Sequence, residues 1–165
     1  MQIIDCKKIA EEIIAEINKF PKLKKFLAAF LIGEDSASIS FLKQKEQVAK
    51  ELRVDFRLYK FPTEISQDEL RKEILKIVDH KTCGGAIVQL PLPENINKHY
   101  VLNVIPREKD IDVLGERALG AFYNGRNPIL PPAVGVVDAI LKTQNLKLKT
   151  LTVSVIGLGF LVGRP

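Results

Sequence analysis

The apolar positions of the chain change period repeatedly. Ile9, Ile13, Ile14, Ile17 and Phe20 recur at helical spacing, and Asp5 is placed to cap the helix they predict. Phe26 to Ile32 is unbroken apolar sequence ending at Gly33, the pattern of a strand buried on both faces. A second helix is predicted from about Ser38 to Leu52, with Ile39, Leu42, Val48, Ala49 and Leu52 on or near one side. Val54, Phe56 and Leu58 then alternate with Asp55, Arg57 and Tyr59, which predicts a half-exposed strand. Ser66 and Glu69 have the spacing of a capping box, so a third helix carries Leu70, Ile74, Ile77 and Val78. Gly84-Gly85 ends that connection, and Ala86 to Leu90 is the next buried strand, halted by Pro91 and Pro93. A short helix is expected over Asn95 to Ile105, then a mostly irregular stretch from Arg107 to Leu130. A helix from about Ala133 to Lys142 leads to a new strand, Leu151 to Ile156.

Helices that alternate with apolar strands predict an α/β fold, a three-layer domain around a largely parallel sheet. Such sheets place ligands at the carboxyl ends of their strands. Gln89 and Leu90, left there by the prolines, are therefore candidate site residues. A chain of 165 residues holds one well-buried domain with room for the start of a second. No apolar run approaches the ~18 residues needed to cross a bilayer, and Met1-Gln2-Ile3-Ile4-Asp5 lacks the basic-then-apolar order of a signal peptide. Cys6 and Cys83 lie far apart and outside any CxxC, which predicts free thiols in a reducing, cytoplasmic setting. The net charge of +5 raises the question of nucleic acid. Lys22, Lys24 and Lys25 cluster, as do Lys147 and Lys149. Most other lysines are interleaved with glutamates, as in Lys43-Gln44-Lys45-Glu46, with no aromatic-rich basic motif beside them. A solvated surface is expected, with no nucleic-acid, membrane or metal partner, and the excess positive charge suits an anionic ligand.

Three stretches carry candidate chemistry. Gly33 to Lys45 runs from a glycine-acidic turn into a helix on which Phe41 and Lys45, four apart, share one face. An aromatic ring beside an ammonium group can hold a flat ligand and supply a proton-transfer group. Equally, Phe41 can be core and Lys45 one more surface lysine, and spacing alone favours that reading. In Gly85-Ala86-Ile87-Val88-Gln89-Leu90-Pro91-Leu92-Pro93, the glutamine either satisfies nearby backbone groups or sets an amide beside a catalytic lysine. In Pro106-Arg107-Glu108-Lys109-Asp110-Ile111-Asp112, the carboxylates either cap a turn or bind the amino-pyrimidine edge of a ring by paired hydrogen bonds.

In this order, the stretches resemble the methylenetetrahydrofolate dehydrogenase/cyclohydrolase family, and the matches run from the first helix to Pro165. That family shows tyrosine and lysine four apart after a glycine-acidic turn. A VQLPLP strand end, a KDVDG loop, a PCTP-glycine segment and a glycine-rich strand-turn follow. The resemblance implies that Lys45 is the catalytic proton-transfer lysine, Gln89 its orienting partner and Asp112 the folate-binding aspartate. A lysine becomes a useful general base only when desolvation or a neighbour lowers its pKa, and the resemblance implies that Gln89 orients and tunes it. Phe41 falls on the family's ring-stacking tyrosine and keeps the stacking surface without the hydroxyl. Val88, Leu90 and Pro91 complete the implied substrate site. Val113 stands where the family has glycine, Ala118 where it has asparagine, and Leu130-Pro131-Pro132-Ala133 replaces the PCTP segment. These changes are expected to reshape loops around the folate pocket.

The last stretch, Val155 to Pro165, reads as a strand ending in spaced glycines, the entry to a dinucleotide-binding turn. By resemblance, Gly157, Leu158, Gly159 and Gly163 begin a site for NADP or NAD, with Leu158 and Gly159 in place of the family's arginine and serine. A single βαβ unit takes about 30 residues, so the expectation is a truncated chain. Residues 1–145 would form a folate-binding catalytic domain, and 146–165 the first strand and turn of a Rossmann-type NAD(P)-binding domain. The implied activity of the intact protein is oxidation of methylenetetrahydrofolate with NAD(P) and hydrolysis of the methenyl product to formyltetrahydrofolate, by a homodimer. The rival readings are a non-catalytic folate-binding or regulatory protein, favoured by the departures just named, and an unrelated amino-acid-dehydrogenase-like domain.

Overall fold

A computed structural model describes residues 4–144 and 152–165. The lysine pair Lys147 and Lys149, the first residue of the expected strand Leu151 to Ile156, and the expected domain boundary lie outside them. Asp5 caps α1 (Cys6–Ile17), its carboxylate accepting from the Lys8 amide at 3.0 Å. β1 (Phe26–Ile32) follows, then α2 (Ser36–Glu51), β2 (Asp55–Phe61), α3 (Gln67–Val78) and β3 (Cys83–Val88). The strands pair in parallel in the order β2-β1-β3. Parallel neighbours need crossover connections, and α2 and α3 supply them.

β1 is apolar throughout because the sheet is covered on both sides. Ala29 and Leu31, with Ile87 of β3, pack against Leu42 and Ile39 of α2. Phe26, Ala28, Phe30 and Ile32 point the other way, onto Leu70, Ile74 and Val78 of α3 and onto Val101 and Leu102 of α4 (Lys98–Leu102). The three layers and the parallel sheet predicted by the alternation are present. β2 is half-exposed as expected, but Tyr59 and Phe61 pack on the core while Leu58 stays exposed. The Tyr59 ring stacks on Phe30 at 5.6 Å, on the side that α3 covers.

Four expectations need correction. The Gly84-Gly85 pair lies inside β3 rather than in the connection before it. Phe26 pairs with Cys83 while Leu27 pairs with Gly85, so Gly84 is an extra, bulged residue. The bulge turns Cys83 and Ala86 to the same buried side. The strand assignment ends at Val88 rather than Leu90, although the Gln89 amide still bonds the Phe30 carbonyl at 3.0 Å. The stretch from Arg107 to Leu130 contains a short 3₁₀ turn (Arg107–Lys109) and α5 (Glu116–Tyr123). The start of α5 has no cap from its own Gly115. Instead the Asn103 side chain accepts from the Glu116 amide at 2.8 Å, a tertiary contact with no local signal. Finally, 152–159 forms no strand, and Val153, Val155 and Ile156 are exposed. Strand geometry needs a partner for its backbone groups, and among the described residues no strand lies beside this segment. α6 (Pro132–Thr143) matches the predicted helix, extended by one residue at each end, with proline at its first turn.

Gly85 sets the position of the segment that follows α4. A Cβ there would stand 2.8 Å from Ile111 Cγ2 and 3.7 Å from the Lys109 carbonyl oxygen. Its absence lets 109–111 lie across β3, where Ala86 and Asp110 form a parallel bridge. Gly85→Ala is therefore expected to destabilise the domain by about 1–3 kcal/mol, the usual range for overpacking. Urea unfolding is the check, and a midpoint equal to that of the unsubstituted chain would contradict this packing.

Candidate active site

The site sits where the parallel strands end. Asp35 caps α2, accepting from the Ser38 amide at 2.7 Å, and that amide holds its carboxyl below the ordinary carboxylate range. From this fixed start, Ser38, Phe41 and Lys45 fall at helical period on one face of α2. Gln89 extends the β3 ladder by one residue, so alternation turns its side chain to the same side as Ile87, towards α2. Its amide nitrogen donates to the Leu90 carbonyl at 2.9 Å, which leaves Oε1 free to accept from Lys45 Nζ at 3.4 Å. Ser38, buried, donates to that same Leu90 carbonyl at 3.3 Å. The Leu90–Pro91 peptide is cis. Lys45 Nζ also faces Asp112 Oδ2 at 3.5 Å, with the two side chains 35% and 21% exposed.

Lys45, Gln89 and Asp112 thus converge, and they line a cavity of about 460 Å³ together with Phe41, Val88, Leu90 and Pro91. Every residue expected at the substrate site reaches this one cavity. Phe41 is not core: the residue is 58% exposed and lines the cavity. One end of the Gln89 amide satisfies backbone and the other meets Lys45. The aspartates divide: Asp110 organises a turn, as the first reading had it, and Asp112 faces the cavity. Sequence reasoning missed Ser38, although its spacing from Phe41 and Lys45 places it on their face. It also missed Leu161 and Val162, which come from the far end of the chain to close one side. Of the departures from the family pattern, Pro132 and Ala133 do line the cavity, whereas Val113 and Ala118 are buried behind it.

Asp110 is 3% exposed, and burial pushes its carboxyl above the ordinary range, with the Gly115 and Leu114 amides and nearby Asp112 as lesser influences. Its Oδ2 accepts from the Leu114 amide at 3.0 Å and the Gly115 amide at 2.7 Å. Val113, immediately before them, has φ +55°, a left-handed conformation that costs a β-branched residue about 1–2 kcal/mol. This is the position where the family has glycine.

A second cavity, of about 640 Å³, adjoins the first and shares Leu90, Pro91, Leu161 and Val162 with it. Gly157, Gly159 and Gly163 line it, while Leu158 lines neither cavity and is 75% exposed. Gly157 has φ +96°, and a Cβ on Gly163 would collide with the Gly157 carbonyl oxygen, so the turn closes only on glycine. Phe160 anchors the turn, edge-on to His99 at 5.6 Å and 4.7 Å from the Lys98 ammonium. Cys83 is buried and burial raises its thiol, while Cys6 is exposed; both are free. Among the described residues no helix is long and apolar enough to cross a membrane, and no acidic, histidine or cysteine group is arranged to hold a metal ion.

An open parallel sheet with lysine, amide and carboxylate gathered at its strand ends defines an α/β domain built around a ligand site. Residues 4–112 match the tetrahydrofolate dehydrogenase/cyclohydrolase catalytic domain, and the chain belongs to that family. It is 32% identical over 171 residues to the bifunctional protein FolD of Clostridium botulinum (strain Alaska E43 / Type E3), matching 99% of this chain and 61% of that protein. The bifunctional methylenetetrahydrofolate dehydrogenase/cyclohydrolase of Campylobacter jejuni superposes with a TM-score of 0.86 at 31% identity, covering 96% of this chain and 57% of that one. The Trypanosoma brucei dehydrogenase-cyclohydrolase, solved with NADP cofactor and inhibitor, gives 0.85 at 25% identity over 99% and 58%. The chain spans about three-fifths of the length of the curated relatives it matches.

The raised carboxyl of Asp110 has a pH signature. Because the folded state favours the protonated form, its contribution to stability is fully present below the ordinary value of 3.8 and is lost as pH rises through the folded value. The stability of the unsubstituted chain relative to Asp110→Asn should therefore decline as pH rises above 3.8. Denaturation at a series of pH values measures it, and a difference that grows with pH would count against the burial argument.

Proposed function

We propose that this chain carries the folate site of a methylenetetrahydrofolate dehydrogenase/cyclohydrolase. The observation that carries the reading is Lys45 Nζ, held between Gln89 Oε1 and Asp112 Oδ2 beside the exposed Phe41 ring in one cavity. Phe41 offers a face for the aminobenzoyl ring of the substrate. The Asp112 carboxylate accepts paired hydrogen bonds from the amino-pyrimidine edge of the pterin. Lys45 is the group placed to move a proton as water adds to the methenyl carbon and one carbon–nitrogen bond opens to leave the formyl product. Gln89 keeps the lysine directed at that carbon, because its own amide is fixed by Leu90.

Residues 1–145 make up the folate-binding catalytic domain in this reading, and 146–165 belong to a Rossmann-type NAD(P)-binding domain. The glycine turn fits a nicotinamide nucleotide, since Gly157, Gly159 and Gly163 leave its backbone bare beside the second cavity. When bound, the cofactor supplies the hydride acceptor for the methylene carbon. The two cavities share a wall, so the chain's own Leu90, Pro91, Leu161 and Val162 exclude water between them. A cytoplasmic homodimer, implied by the family resemblance, completes the proposal.

Lys45→Met should remove methenyltetrahydrofolate hydrolysis from the intact protein, by about 10²–10⁴-fold, while circular dichroism stays unchanged. Gln89→Ala should lose less, because it acts through the lysine. Lys43→Met is the control, exposed and off that helix face. Equal rates for all of these, corrected for spontaneous hydrolysis, would leave a non-catalytic folate-binding protein, the reading that the missing Phe41 hydroxyl favours.

Leu158-Gly159 supplies neither the charge nor the hydroxyl with which the family meets the 2′-phosphate of NADP. Selectivity for NADP should weaken or turn towards NAD, as read from kcat/KM with each cofactor. Strong retained NADP selectivity would remove Leu158 and Gly159 from the specificity argument.

A further inference from the structure

The two carboxylates of the 110–112 segment are two residues apart, yet only Asp112 touches the cavity. Asp110 turns away into the domain, and everything around it holds one loop. Its backbone bridges Ala86 of β3, and its carbonyl accepts from the Val113 amide at 3.3 Å. Its Oδ2 takes the next two amides, Leu114 and Gly115. Successive amides curled around an anion form a nest, and a left-handed residue is what curls them. Val113, at φ +55°, is that residue. A valine does not hold this conformation unaided, so the carboxylate and the burial of Val113 must hold it together.

The consequence falls on Asp112. It is flanked by the bridge at Asp110 on one side and by the nest on the other, with the adjacent Ile111 packed against the α2-facing core. Its carboxylate therefore meets Lys45 at 3.5 Å from a backbone that has little freedom to turn. We propose that Asp110 is a positioning residue, whose buried carboxylate locks residues 110–115 so that Asp112 is presented to Lys45 and to the substrate. The substrate half of this statement rests on the folate reading above; the loop half does not.

The experiment has one arm for each half. In the loop arm, hydrogen exchange of the Leu114 and Gly115 amides is followed in the folded chain without ligand. Asp110→Ala should raise both rates by at least about tenfold, and Asp110→Asn, whose amide oxygen can accept both bonds, by less than about threefold. The Asp112 carboxyl carbon resonance is recorded in the same samples. Lys45→Met should shift it in the unsubstituted chain and leave it unmoved in Asp110→Ala. Unchanged exchange, or a persisting Lys45 effect, overturns the proposal whether or not folate binds.

In the ligand arm, 5-formyltetrahydrofolate is titrated into the intact protein by calorimetry, with folding checked by circular dichroism. Asp110→Ala and Asp112→Ala should each weaken binding by about tenfold or more, as for a lost charge-assisted hydrogen bond. The double variant should be within about threefold of either single one, because Asp110 acts through Asp112. Losses that multiply would make Asp110 a merely structural residue and sink the positioning role. No binding by the unsubstituted protein would instead refute the folate reading and leave the loop arm to decide. If Asp110→Ala fails to fold, Asp110→Ser, too short to reach both amides, takes its place in both arms.

Discussion

β1 has no free side. Both of its edges are paired in parallel, and both of its faces are covered by apolar side chains. A parallel pair cannot be closed by a tight turn, so each neighbour of β1 requires a helix to carry the chain back. α2 and α3 take opposite faces, and the strand ends are left open together at one edge. The site depends on that edge. The start of α2 rises from the loop after β1, and Gln89 stands one residue past β3, still tied to Phe30 of the central strand. Loosening β1 would separate the lysine from the amide, because they reach the cavity from connections on either side of it.

Within the site, the Leu90 carbonyl is a shared acceptor. It takes the Gln89 amide and the Ser38 hydroxyl, and through them it relates β3 to α2. A neutral amide fixed in this way offers only its oxygen to Lys45, which is the polarity that a cation requires. Asp112 meets the same ammonium from the third direction. The pair is partly open to solvent, and it makes no large contribution to folding. Its arrangement is held by stability generated elsewhere, in the apolar layers.

The departures from the family pattern act at different depths. Phe41 and Ala133 alter the cavity wall directly. Val113 and Ala118 do not line it: Val113 is buried within the loop that carries Asp112, and Ala118 is buried on α5. α1 and α6 show a further limit of pattern reading. Their periodicity is strong and both form, yet neither buries a residue fully, and they face each other around a small apolar cavity of about 310 Å³.

What the sequence determined by itself was period, order and type. The continuous apolar run gave β1 its bounds, the capped periodic runs gave α1 and α3, and the alternation of helices with strands gave a parallel sheet with helices on both faces. These are local consequences of backbone geometry, in which each residue's burial is read from its immediate neighbours. Spacing alone did not single out Lys45, Gln89 or Asp112; the resemblance carried by the order of the motifs pointed to them. Tertiary structure decided the rest. It decided that Phe41 is a cavity wall and not core, since a helix face is buried only if something covers it. It split the roles of Asp110 and Asp112, since two carboxylates close in sequence are chemically alike until one is buried against backbone amides. It capped α5 from Asn103, laid the 109–111 segment across β3 at Gly85, and denied 152–156 its expected strand, since each of these turns on a partner distant in the chain.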